Sequence, residues 1–192
     1  MTWIFGYGSL MWNPGFPHAE RRPAILNGYH RAYMMYSTRN RGTPDCPGAV
    51  LSLAPGRSCT GIAYRIAPGR EAEALAYLDG REGAGRANKR VRVPLRFADN
   101  GAGPPVHGWT YLPILTYSNY IGGVPPRRQA ELVAQGAGKT GSAFDYLARL
   151  MEELARLGVQ EPALEELHRE SGRLRQPPPA PVAGDDPASR RS

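Results

Sequence analysis

The pattern of apolar and polar positions divides the chain into a strand-rich first half and a helix-rich second half. Trp3-Ile4-Phe5 is a short apolar run that reads as a buried strand, broken abruptly at Gly6-Tyr7-Gly8-Ser9-Leu10. Pro17-His18-Ala19-Glu20 reads as loop. Arg22 to Ser37, rich in apolar and aromatic residues, predicts two strands or one long bent one, with Gly28 at a turn or bulge. Thr38 to Gly48 has loop chemistry. Ala49 to Leu53 predicts a short strand that Pro55-Gly56-Arg57 turns back into an antiparallel partner, Ser58 to Ile66. A first helix is expected from about Arg70 to Asp79, with Leu75 and Leu78 facing the core and Gly80 as its C-cap. Val91, Val93, Leu95 and Phe97 alternate with Arg92 and Arg96, the signature of a half-buried strand. Asp99-Asn100-Gly101 predicts a turn, and Val106 to Leu115 a returning strand.

Helical periodicity takes over beyond residue 125. Pro126 opens a helix ending near Gln135. Ser142 followed by Asp145 is a cap for a helix whose apolar stripe is Leu147, Leu150, Met151, Leu154 and Leu157. Pro162 opens a last helix reaching about Arg173. Pro-Pro-Pro-Ala-Pro after Gln176 cannot bury a core and reads as a disordered tail. The expected organisation is one α+β domain over residues 1–175, with a curved or partly closed sheet or barrel and flanking helices, then a tail over 176–192.

Composition narrows the function classes. No apolar run is long enough for a membrane helix, and no basic-then-apolar leader is visible, so a cytoplasmic protein is expected. The two cysteines, Cys46 and Cys59, then read as reduced thiols. Four scattered histidines show no metal-ligand spacing, and no metal or cofactor is expected. The net charge of +7 permits nucleic-acid binding, but the arginines are dispersed and no interleaved aromatic–basic motif occurs. A small anionic partner suits that charge better than nucleic acid or membrane.

Two glycine motifs imitate nucleotide sites. Gly6-Tyr7-Gly8 lacks the third glycine of a dinucleotide fingerprint, which falls on Met11. Gly138-Lys139-Thr140 ends like a phosphate-binding loop, but Val133 stands where its first glycine belongs, so a helix–helix connection is expected. In the opening turn, two glycines flanking an aromatic can leave backbone N–H groups bare for a carbonyl or small anion, although spacing alone favours a tight turn around a buried tyrosine.

One acid stands out. Glu82 follows the predicted helix end within Tyr77-Leu78-Asp79-Gly80-Arg81-Glu82, where the macrodipole disfavours negative charge. Partial desolvation there would raise its pKa and suit it to proton transfer. On residues alone, a surface acid paired with Arg81 or Arg86 is the favoured reading.

The wording of several segments resembles the ChaC-type γ-glutamylcyclotransferases. Phe5-Gly6-Tyr7-Gly8-Ser9-Leu10 is similar to that family's opening, and Tyr77-Leu78 with Arg81-Glu82 to its Tyr-Leu-x-x-Arg-Glu signature. Arg41-Gly42 before Pro47-Gly48, Tyr120-Ile121-Gly122, and Gly138 to Gly141 with Tyr146-Leu147 follow in the same order. The resemblance implies a mixed, partly closed sheet or barrel and cleavage of glutathione to 5-oxoproline and Cys-Gly without a cofactor. It implies Glu82 as acid–base and Ile4, Phe5, Gly6, Tyr7, Gly8, Ser9 and Leu10 as the substrate-binding segment. Arg41, or Arg39, is a candidate for a substrate carboxylate, and Tyr120 for closing the pocket. Gly85-Arg86-Ala87-Asn88 and Ser118-Asn119 depart from the family's usual wording and bear on substrate identity. Another γ-glutamyl donor, and a non-catalytic regulator of a membrane transporter, are the rival expectations. The latter predicts Glu82 far from the opening turn.

Overall fold

Two long antiparallel strands carry the architecture. In a computed structural model, which describes residues 1–99 and 103–175, β1 (Trp3–Gly6), β2 (His18–Ser37), β3 (Gly48–Ile66), β4 (Asn88–Phe97) and β5 (Val106–Pro113) close into a barrel. Its order is β1-β3-β2-β4-β5, and the parallel β1–β5 pair, Trp3 opposite Gly108, completes the ring. A Cβ on Gly108 would come within 2.6 Å of Leu95 Cδ1 and 3.2 Å of the Trp3 Cβ and carbonyl, so the seam is packed closely around this glycine.

The alternation along the strands sorts their side chains into two cores. Phe5, Leu26, Leu53, Ala63, Val93, Leu95 and Phe97 belong to a buried set made of strand residues alone, which fills the barrel. Ile4, Tyr33, Leu51, Ile62 and Tyr64 point the other way and pack with helix residues. Those helices are α1 (Glu71–Glu82), α2 (Pro126–Gln135), α3 (Ala143–Arg156) and α4 (Pro162–Arg175). The α3 stripe buries Leu147, Leu150 and Leu154, and its N-cap Ser142 accepts from the Asp145 N–H at 3.0 Å. The Gly136–Thr140 connection is a helix–helix link built on a short hairpin, β6 (Ala137–Gly138) and β7 (Gly141–Ser142).

The structure corrects three expectations. Residues 49–66 are not a hairpin: β3 runs unbroken through Pro55-Gly56-Arg57, paired with β2 along its length. Gly56 (φ +98°) and Arg57 (φ +57°) form a bulge facing Gly28 (φ +83°), because β2 supplies a continuous partner that carries the strand across the bend. Pro17–Glu20 is not all loop, since β2 starts at His18, which pairs with Ile66. Helix α1 does not stop at Gly80. It runs through to Glu82, and Gly83 (φ +65°) ends it, donating its N–H to the Asp79 carbonyl. Leu78 is fully buried as expected, while Leu75 is only partly so. Of the expected Asp99-Asn100-Gly101 turn, Asn100 and Gly101 lie outside the described residues, as does the 176–192 tail.

Candidate active site

The opening turn is shaped by what its glycines allow. A Cβ on Gly6 would sit 2.7 Å from the Leu10 Cβ, and one on Gly8 would sit 2.6 Å from the Tyr146 hydroxyl. The chain therefore leaves β1, wraps tightly and enters a single 3-10 turn, Ser9–Met11, closed by the Met11 N–H donating to the Gly8 carbonyl at 2.8 Å. The N–H groups of Gly8 and Ser9, at the open end of that turn, have no backbone acceptor among the described residues.

Buried side chains hold this backbone from behind. Arg31 has a side chain with no exposure; its Nε donates to the Tyr7 carbonyl at 2.6 Å and its Nη2 to the Thr60 carbonyl at 2.5 Å. Its Nη1 pairs with Glu161, just before α4. Since the Tyr7–Gly8 peptide is trans, a carbonyl held by Arg31 turns the Gly8 N–H the opposite way. The Tyr64 hydroxyl donates to the Leu10 and Met11 carbonyls, both at 2.9 Å, and fixes the far side.

Glu82 reaches the same place from α1. Arg81 clips the helix to the turn: its Nη2 donates to Ser9 Oγ at 3.0 Å and its Nη1 to the Asn13 carbonyl at 2.6 Å. Asn88 Nδ2 donates to the Glu82 carbonyl at 2.7 Å and anchors the helix end. The neighbouring acid, Asp79, is occupied, accepting from the Tyr111 hydroxyl and from Arg90, both at 2.8 Å. The Glu82 carboxylate, by contrast, accepts no hydrogen bond among the described residues and has only Arg81 Nε at 3.4 Å. Burial raises its pKa above the ordinary value, and the Arg81 charge restrains the rise.

The two parts line one cavity of about 50 Å³, bounded by Phe5, Tyr7, Gly8, Ser9, Leu10, Leu51, Glu82, Tyr111 and Tyr146. Burial pushes the hydroxyls of Tyr7, Tyr111 and Tyr146 far up, with the Glu82 charge adding next for Tyr7 and Tyr146 and the bond to Asp79 for Tyr111, so all three stay neutral. A lone carboxylate therefore shares a cavity with the Gly8 and Ser9 main chain, the Ser9 N–H also reaching the Tyr146 hydroxyl, and with neutral tyrosines of which Tyr7 donates to the Tyr111 carbonyl and Tyr111 to Asp79, an arrangement suited to moving a proton beside a carbonyl that is gaining negative charge.

Among the sequence-expected residues, the structure brings Glu82, Phe5, Tyr7, Gly8, Ser9 and Leu10 together. Ile4 lies behind them, fully buried in the core shared with the helices, and Gly6 supports the turn without lining the cavity. Arg41 lies beyond Tyr146, its guanidinium 5.2 Å from that ring's centre. Arg39 is exposed. Tyr120 does not reach the wall: its backbone bridges Met35, and its own hydroxyl occupies the space a Gly122 side chain would need. The separation expected of a non-catalytic regulator, Glu82 remote from the turn, is absent.

Leu51, Tyr111, Tyr146 and Arg31 were not singled out as site residues. Tyr146 stands in a quoted motif without a role assigned to it. Arg31 carries a usable signal, a lone charge within the apolar run Tyr29 to Tyr36, since a charge buried there must be paired.

A larger cavity of about 580 Å³ lies on the other side of the 3-10 turn, between Met11, Trp12, Arg21, Tyr64 and α3. Its buried acid, Glu153, is already paired with Arg156 and with Arg21 at 3.6 Å, so it offers no free group comparable to Glu82. Among the described residues no cluster of three His, Cys, Asp or Glu is placed to hold a metal ion, and no helix is long and apolar enough to cross a membrane.

Comparison with known proteins gives a consistent result. Residues 2–173 match the family described as ChaC-like protein. The chain is 34% identical over 164 residues to "Gamma-glutamylcyclotransferase 2-3" of Arabidopsis thaliana, covering 83% of this chain and 82% of that one. It is 34% identical over 166 residues to the "Glutathione-specific gamma-glutamylcyclotransferase" of Escherichia coli (strain K12), covering 86% and 71%. Among solved structures, the glutathione-specific cyclotransferase from yeast superposes with a TM-score of 0.82 at 23% identity, covering 91% of this chain and 96% of that one, a likeness of fold.

Proposed function

The chain belongs to the ChaC-like family, and from that premise we propose that it is a γ-glutamylcyclotransferase that cleaves glutathione to 5-oxoproline and Cys-Gly, with Glu82 as the acid–base. The observation carrying this reading is that the Glu82 carboxylate and the Tyr7–Leu10 main chain line one cavity.

The reaction is an intramolecular aminolysis. The substrate's α-amine attacks its own γ-carbonyl, so the new C–N bond closes a five-membered lactam and no protein nucleophile is required. Holding the γ-glutamyl arm curled supplies the effective molarity that ring closure needs. Glu82 as carboxylate accepts a proton from the attacking ammonium. The N–H groups of Gly8 and Ser9 stabilise the oxyanion. The bond to the cysteinyl nitrogen then breaks as the ring nitrogen gives up its second proton and Glu82 relays both to the cysteinyl nitrogen, which leaves as the ammonium of Cys-Gly. Tyr7, Tyr111 and Tyr146, kept neutral, neither compete for the proton nor repel the carboxylate.

A cavity of about 50 Å³ encloses the ring-forming end rather than a whole tripeptide. For that reason a broader range of γ-glutamyl donors is the second reading. The free thiols Cys46 and Cys59 accord with a reducing cytoplasmic setting. The test is product analysis with glutathione. Wild type should release 5-oxoproline and Cys-Gly, and Glu82→Gln should lose at least ~10²-fold in turnover, the lower end of a general acid–base contribution. Intact glutathione after prolonged incubation, or an undiminished Glu82→Gln variant, would refute the assignment.

A further inference from the structure

Past Tyr146, next to the cavity, stands a polar pair that the cleavage chemistry does not use. Tyr33 is 3% exposed, yet its hydroxyl has no hydrogen-bond partner among the described residues. A buried hydroxyl left unmatched is costly, and natural proteins keep such a group where a ligand or an ordered water completes it. Tyr33 pairs directly with Leu51 across β2 and β3, and Leu51 lines the cavity. Directly opposed residues project from the same face, so the Tyr33 ring stands beside the cavity wall. Apart from its burial, the charges that act on its hydroxyl are those of Tyr146 and Arg41.

Arg41 supplies the complementary half. It sits on the 38–47 loop, held by Nη1 donating to the Thr140 carbonyl at 2.5 Å and the Ser142 carbonyl at 3.3 Å. Those two bonds fix the guanidinium over the Tyr146 ring. Nε and Nη2 engage no acceptor among the described residues, and the guanidinium makes no ion pair with a carboxylate, although Asp145 and Arg149 both contribute to its field. A half-buried, immobilised fork with two free donors is a carboxylate receptor in waiting. Its place is one aromatic ring away from Gly8, since the Tyr146 hydroxyl abuts that glycine.

Resting on the proposed reaction, we infer that Arg41 and the Tyr33 hydroxyl form a second subsite, across Tyr146 from Glu82, that binds the C-terminal carboxylate of the γ-glutamyl peptide. The substrate's α-carboxylate is one carbon from the attacking amine and must stay with it beside Glu82. The C-terminal carboxylate lies two residues beyond the scissile bond and spans at most about 7 Å when extended, which carries it past the ring of Tyr146. Such a subsite selects γ-glutamyl tripeptides with a free terminus over simple γ-glutamylamines.

The experiment compares kcat/KM for glutathione and for its C-terminal glycinamide, in wild type, Arg41→Gln and Tyr33→Phe. In wild type the amide should be the poorer donor by about ten- to a hundred-fold, the loss of a charge-assisted pair. Arg41→Gln should lose a similar factor on glutathione and treat the two donors nearly alike. Tyr33→Phe should narrow the preference several-fold while leaving the loop contacts of Arg41 in place. It therefore tests the subsite even if Arg41→Gln disturbs the Thr140 and Ser142 contacts. An active wild type indifferent to the amide cap, or a Tyr33→Phe variant with the full preference retained, overturns the subsite alone. A wild type inactive on every γ-glutamyl donor overturns the parent reading and the subsite with it.

Discussion

At the scale of single residues, Glu82 combines two demands that oppose each other. Its carboxylate is partly desolvated and accepts no hydrogen bond, so its pKa lies above the ordinary value of 4.5. The proposed chemistry needs the ionised form to take a proton from the ammonium. kcat/KM should therefore fall as pH drops through the raised pKa, with an acid limb above that of an exposed glutamate. The same shift sets a stability cost. Between the unfolded pKa and the higher folded one, the native state holds more protons than the unfolded state, so stability declines as pH rises through that window. At neutral pH the charged Glu82 is a liability, and Glu82→Gln should melt at a higher temperature than wild type, the gap closing below about pH 4.5. An inactive variant that is also less stable at pH 7 would mean the carboxylate is stabilised in its setting. Glu82 and the turn were legible in the sequence through the family resemblance of their segments, since spacing alone favours a surface acid and a plain tight turn. Tyr111 and Tyr146 were not, because alternation and helical spacing say that a tyrosine is buried without saying what it is buried against.

At the scale of elements, the helix α1 shows how a local rule gives way to a tertiary contact. Gly80 costs about 1 kcal/mol within a helix compared with alanine, yet the helix continues through it because the next residue, Arg81, docks on Ser9 and Asn13. The extra turn places Glu82 inside the cavity instead of on a loop. A similar override makes β3 one strand, since the Pro-Gly-Arg bend faces a partner strand that bends with it. Where no distant partner intervened, as in α2, in the Ser142 cap and in the β4 alternation, the local signals located the elements closely. Arg81 thus has two separable effects. It docks the helix, and its charge holds the Glu82 pKa down. Arg81→Met should lower kcat and move the acid limb of the pH–rate profile to higher pH, because the restraint on the Glu82 pKa is removed while its burial stays. A limb that stays in place or moves to lower pH would show that Arg81 acts on Glu82 through docking alone.

At the scale of the whole molecule, the site exists because a barrel, a helical layer and a tight turn are tied at one point, and that point is Arg31. It starts on β2, holds carbonyls of the turn and of β3, and reaches Glu161 at the mouth of α4. Breaking such a pair from one side leaves a carboxylate, itself still partly open to solvent, and two carbonyls without their donor. Arg31→Met should therefore lower unfolding stability as measured by urea denaturation, by less than the ~3–5 kcal/mol of orphaning a fully buried charge, because Glu161 keeps some contact with solvent. Glu161→Gln removes the charge but keeps an acceptor for Nη1, and should cost less. The double variant Arg31→Met with Glu161→Gln should recover part of the single Arg31→Met loss, because no charge is then stranded. Turnover must follow a different order from stability. Only variants lacking Arg31 free the Tyr7–Gly8 peptide, so Arg31→Met and the double variant should share one reduced kcat under conditions where both are folded, while Glu161→Gln stays close to wild type. If kcat instead tracks stability across all three, the brace is structural glue with no part in aiming the Gly8 N–H at the substrate.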